Sequence, residues 1–246
     1  MRQADHLATG GRGLRAPDHP VTSKALARVV ADAVLIGACI GAGARTVAWP
    51  RAWTLLAVML VVRAWSVAAV RLAHPTLLRE RARLPIHRDQ PRADRLLVAA
   101  VLALGFLALP AVAAADAARW RLLAPVPAGV AVVGLTAFAA GWVIKGLALR
   151  ANAFAVAEVR VQRERHAVVT SGVYGVVRHP FYAADPLIFV GQALWLGSWT
   201  AAALAVAPTA LVVVRLVLEE RLLRRELPGY TAYAARVRHR LVPGVW

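Results

Sequence analysis

Six apolar segments, Val29–Ala48, Trp53–Val70, Leu96–Ala115, Val126–Leu149, Ala183–Leu196 and Ala201–Leu218, are separated by short stretches that hold most of the charge. Crossing the hydrocarbon core of a bilayer takes roughly 20 consecutive apolar residues, because every backbone polar group must be satisfied within the segment. Four segments are close to that length; Ala183–Leu196 has only 14 residues and reads as a tilted or partial span in a tight hairpin through Gly197-Ser198-Trp199. The pattern predicts an all-α polytopic membrane bundle. With 59% hydrophobic residues in Ala/Val/Leu runs, a soluble globule is a poor alternative.

Charge placement supports the same reading. Of 30 Lys and Arg residues, 23 fall up to and including Arg28 or in Arg71–Arg95, Arg150–Arg178 and Arg221–Arg240, whereas the opposite loops hold only Arg45, Arg51, Arg119 and Arg121. Basic loops stay in the cytoplasm, so this asymmetry predicts six crossings with both termini cytoplasmic. Trp49, Trp53, Trp120, Trp195 and Trp199 fall near the proposed non-cytoplasmic ends, where amphipathic rings favour the interface. The formal charge of +17 then points to orientation and anionic lipid headgroups and not to nucleic acid, since the basic residues lie in gaps between apolar segments instead of on one soluble face. Cys39, the single cysteine, lies inside an apolar segment, forms no intrachain disulfide and reads as packing.

Three regions follow: residues 1–24 as a flexible cytoplasmic tail, 25–150 as N-terminal transmembrane helices, and 151–246 as a region in which a polar loop and the C-terminal tail fold together around a helical hairpin. That last region carries the densest polar chemistry, from His166 to Tyr182 and again at Arg215, Glu219 and Glu220. Elsewhere, Lys145 is expected to snorkel, Arg63 with Ser66 to pair inside the bundle, and Asp32 to sit at an interface. The histidines show no metal-ligand spacing.

Val159-Arg160-Val161-Gln162, His166, Val168-Val169-Thr170-Ser171-Gly172-Val173-Tyr174, Arg178-His179-Pro180-Phe181-Tyr182, Glu219-Glu220 and Tyr230-Thr-Ala-Tyr233 with Arg236, Arg238 and Pro243 resemble the isoprenylcysteine carboxyl methyltransferase family and its bacterial relatives, over about the last 90 residues. The resemblance implies an integral-membrane enzyme of the bacterial inner membrane that uses S-adenosylmethionine (SAM) to methylate a lipid-linked or isoprenoid acceptor, most simply on a carboxylate. It implies a cofactor pocket lined by Gln162, His166, Ala167, Val168, Val169, Tyr174, His179, Pro180, Phe181, Tyr182 and Glu219, with Arg215 facing the acceptor. Phospholipid amine methyltransferases share a similar C-terminal pattern. Ala183-Ala184-Asp185-Pro186 departs from the usual apolar start of the following helix.

The residues themselves permit this chemistry. SAM presents an ammonium, a carboxylate, ribose hydroxyls, an adenine and a sulfonium. Glu219 can accept from the ammonium or ribose, Arg178 or His179 can meet the carboxylate, and Tyr174 and Tyr182 offer ring faces. Structural readings stand beside these. His179-Pro180 can simply separate two elements, Glu220 reads as part of a solvated, salt-paired helix start, and Arg215 can pair with Glu219 one helical turn away. A non-catalytic bundle that retains a degenerate motif is the alternative from another class. An arginine inside an apolar run is costly and faces a cavity or a partner, which favours a site role for Arg215.

Overall fold

A computed structural model of the chain describes residues 19–74, 91–152 and 168–246, and no strand occurs among them. The helices are α1 (His19–Ala44), α2 (Pro50–Ala73), α3 (Arg92–Trp120), α4 (Ala128–Ala151), α5 (Pro180–Leu196), α6 (Trp199–Glu226, with a break at Ala205) and α7 (Tyr230–Arg236). Five of them, α1, α2, α3, α4 and α6, are long and apolar enough to cross a membrane. The chain is therefore an all-α polytopic bundle.

Element ends differ from the apolar boundaries in a consistent way. Helix α1 starts at His19, inside the segment expected to be a tail, and α6 runs on to Glu226, beyond the apolar limit at Leu218. Hydropathy marks where a helix meets lipid or core, whereas the backbone ladder of α6 continues through Leu, Glu and Arg, all good helix formers. Helix α5 is the short member, as its apolar length implied. Pro180 opens it, Gly197 at φ 95° closes it in the left-handed region, and its 17 residues span about 25 Å at 1.5 Å each, short of a typical hydrocarbon core.

Helices α4 and α5 form the tightest pair and run antiparallel, with Gly134 beside Gly191 and Gly141 beside Ala184. A Cβ placed on Gly191 would stand 2.6 Å from the Gly134 carbonyl oxygen, so glycine is what lets the two backbones meet. Phe138, Ile188, Phe189, Val212 and Leu216 fill the core around this contact. Helix α3 contains two π-helical stretches, Leu102–Ala108 and Asp116–Trp120. The first has a local cause: Leu109 N–H bonds back to Leu104 and Pro110 has no N–H, which leaves the Gly105 carbonyl without a helical donor. Gln192 of α5, fully buried, donates its Nε2–H to that carbonyl at 2.7 Å. Arg63 pairs inside the bundle as expected, with Asp32 at 2.8 Å, and its guanidinium lies 4.8 Å from the Trp142 ring centroid.

Candidate functional site

Four chain segments converge at one end of the bundle: the start of α3, the start of α5, the last turns of α6, and the tail that includes α7. Leu216, buried, and Arg215 occupy adjacent positions on α6, so one turn of that helix presents both a core residue and a cation to the interior. Arg215 Nε donates to Asp94 Oδ1 at 2.8 Å, with side-chain exposures of 13% and 8%, and its guanidinium lies 5.7 Å from the Tyr182 ring centroid. The Tyr182 hydroxyl donates to the Glu219 carboxylate. Arg215 and Glu219, four residues apart on one face of α6, thus flank a single tyrosine. The chain Asp94–Arg215–Tyr182–Glu219, with Asp94 and Tyr182 buried and Arg215 and Glu219 partly so, joins α3, α6 and α5.

His179, at the start of α5, lies on the other side of Tyr182 with ring centroids 6.0 Å apart. Burial lowers its pKa to about 4, mainly because a charged imidazole cannot be solvated there; the Glu220 carboxylate opposes this and the Arg178 and Arg240 guanidiniums add to it. The Tyr230 pKa is raised, chiefly by burial, so its hydroxyl keeps its proton, and it shares a hydrogen bond of 3.3 Å with His179 Nε2. A histidine whose folded pKa is depressed stabilises the fold fully above its unfolded pKa, and the contribution is lost as pH falls toward the folded value. Stability is therefore expected to drop by about 3 kcal/mol between pH 6.5 and 4, and His179→Gln should flatten that part of a thermal-unfolding series.

The tail is held against this end by a second polar cluster. Arg178 N–H and His179 N–H donate to the carbonyls of His239 and Arg240 at 2.9 and 3.0 Å. The Arg178 guanidinium donates through Nη1 to the carbonyls of Val237 and Arg238, both at 2.8 Å, and meets Glu220 through Nη2 at 3.1 Å. Glu220 also pairs with Arg224 and Arg240, at 2.9 and 2.6 Å. Beneath them Tyr230, Tyr233, Ala234, Val237 and Leu227 form a small core that Val168 joins, and Tyr233 donates to the Tyr174 carbonyl at 2.7 Å.

The residues read from sequence divide accordingly. His179, Pro180, Phe181, Tyr182, Arg215 and Glu219 come together at one end. Val168 and Tyr174 support the tail, Val169 is half-buried beside them, and Arg178 is committed to carbonyls and Glu220, which makes it a clamp and leaves His179 nearer to Tyr182. Gln162, His166 and Ala167 lie outside the described residues. Two expectations need correction. Glu220 is not solvated: it is 3% exposed, because three arginines from three segments compensate its charge. Lys145 does not snorkel: it is buried, pairs with Asp185 at 2.8 Å and lies 3.8 Å from the Phe181 ring centroid. Arg215 meets Asp94 of α3, a partner that its own helix does not supply. Asp94 and Asp185 were missed as partners because each finds its cation on a different helix, which no local spacing encodes.

The fold and the buried polar cluster define an integral-membrane protein with its chemistry at one end of a helix bundle. Residues 129–228, which run from α4 through α6, match the family model for phospholipid methyltransferase. This match covers less than half of the chain and supports a membrane methyltransferase. No curated protein matches the chain.

Proposed function

We propose that the chain is a SAM-dependent methyltransferase that esterifies a carboxylate on a lipid-linked or isoprenoid acceptor at the membrane. The observation that carries the reading is the Asp94–Arg215–Tyr182–Glu219 chain, four polar groups held together at the end of otherwise apolar helices. Their chemistry fits SAM, since a carboxylate and an electron-rich ring suit a ligand that carries an ammonium and a sulfonium. Glu219 would receive the ammonium or ribose, and the Tyr182 hydroxyl fixes the orientation of its carboxylate. Neutral His179 offers an imidazole rather than a competing cation. Bound SAM supplies an electrophilic methyl group. A carboxylate acceptor needs no general base, so Arg215 would orient the acceptor's anion, and the surrounding apolar helices exclude water from opposed charges.

Asp94 favours a second reading, amine methylation, because Arg215 already has one carboxylate partner and the matched family model is that of phospholipid methyltransferases. An ammonium acceptor would have to lose a proton first. His179, with its pKa near 4, is a weak base at neutral pH, so Glu219 would take that role.

Transfer of labelled methyl from SAM into the lipid extract of membranes that hold the protein tests both readings. Protein-dependent label released by base as methanol is the expected result, and base-stable label moves the acceptor to an amine. Glu219→Gln should weaken SAM binding by about tenfold or more, the loss of one charge-assisted contact. Wild-type membranes that neither bind SAM nor transfer label would sink the enzyme reading in favour of a non-catalytic bundle.

A further inference from the structure

The end of the bundle opposite the candidate site carries a separate constellation. A cavity of about 720 Å³ opens there between Trp49, Arg51, Asp116, Arg121, the segment Leu122–Val126 and the turn at Leu196-Gly197. Asp116 is the single acidic residue among positions 45–52, 116–127 and 197–200, which hold four arginines, Arg45, Arg51, Arg119 and Arg121. Its carboxylate is buried and engaged, accepting from Ser198 Oγ at 2.6 Å and from Leu122 N–H at 3.0 Å. None of the four arginines has an ion-pair partner among the described residues.

Two of these cations are placed at the cavity by the fold. Trp195 Nε1–H donates to the Arg51 carbonyl at 2.7 Å, and the Arg51 guanidinium stands 5.8 Å from the Trp195 ring centroid, which holds it at the wall. Arg121 closes α3 at φ 51°, a left-handed conformation that helix ends normally give to glycine or asparagine. Its reversal, tied by the Leu122–Asp116 bond, brings Leu122–Val126 against the cavity. Leu122 and Leu123 are 61% and 57% exposed there, so an apolar edge adjoins the two guanidiniums.

Unpaired guanidiniums beside tryptophan and exposed leucines match a phosphate anion with an apolar attachment. We propose that this cavity binds the phosphate of an anionic phospholipid headgroup, through Arg51 and Arg121, with the acyl chains along the Leu122–Leu123 edge. The site is independent of the methyl-transfer reading, and its ligand is a structural lipid and not the acceptor. Arginine suits it because the guanidinium fork meets two phosphate oxygens at once.

The test uses the full chain in nanodiscs of zwitterionic lipid, titrated with phosphatidylglycerol or with inorganic phosphate, and reads bound lipid by native mass spectrometry alongside Tm. Wild type is expected to retain phosphatidylglycerol and gain Tm. Arg121→Gln, a change at an exposed position, should weaken retention about tenfold, and Arg225→Gln, at the other end of the bundle, should not. An equal Tm gain from inorganic phosphate alone, absent in Arg121→Gln, would assign the site to a free anion of the same chemistry. Phosphatidylglycerol retained equally by wild type, Arg121→Gln and Arg51→Gln/Arg121→Gln would overturn the proposal.

Discussion

Replacing Asp185 with alanine is expected to destabilise the bundle by about 3–5 kcal/mol, because it leaves the Lys145 ammonium buried without its carboxylate. The two groups are 2.8 Å apart with side-chain exposures of 9% and 5%, so water cannot take the carboxylate's place. Lys145 also stands over Phe181, the neighbour of Tyr182, so the loss is expected to loosen the start of α5 as well. The double variant Lys145→Met/Asp185→Leu removes both charges and should recover most of the stability, since a buried ion pair often gains little over an apolar pair of similar volume. Thermal unfolding of the three proteins in one detergent checks this. A single Asp185→Ala variant as stable as wild type would show that the pair is not intact in the membrane-embedded chain.

Removing Arg215 should separate binding from turnover. Arg215→Gln alone would leave Asp94 buried without its cation, so the informative protein is Arg215→Gln/Asp94→Asn, in which the two side chains can still hydrogen-bond. If Arg215 orients the acceptor's carboxylate, this variant should hold SAM with nearly unchanged Kd and lose about 100-fold or more in kcat, the scale of losing one preorganised electrostatic group. Binding by calorimetry and methyl transfer on the same preparation make the comparison. Unchanged kcat would remove Arg215 from the acceptor site and favour the amine reading. A parallel loss of SAM binding would place Arg215 on the cofactor side of Tyr182.

The bundle was legible because hydrophobic runs act at close range. A run such as Trp53–Val70 has no other stable use than a membrane or core helix, and the observed α2 exceeds it by only three residues at each end. The short hairpin of α5 and α6 was equally local: it depends on Gly197 to reverse the chain and on Ser198, whose Oγ accepts from Ala201 N–H at 2.9 Å to cap the next helix. The polar end was legible as a list of residue types, since His179, Tyr182, Arg215 and Glu219 stand out against apolar neighbours.

The Glu220–Arg224 pair, four residues apart, was legible, but partners on other segments were not. Sequence placed Arg215 and Glu219 one helical turn apart on one face, but it did not point to Asp94, 121 positions away, which the structure sets against Arg215. The structure likewise sends Lys145 to Asp185, and Arg178 with Arg240 to Glu220. The physical reason is that burial, and not spacing, decides which charges must pair. A cation withdrawn from water takes the carboxylate that packing brings to it, and packing here is set by how closely Gly134, Gly141 and Gly191 let α4 and α5 approach. The sequence by itself determined that the chain is a helical membrane bundle with its densest polar chemistry in the C-terminal third; only the tertiary structure decided which of those groups face one another, because buried charges are compensated across helices.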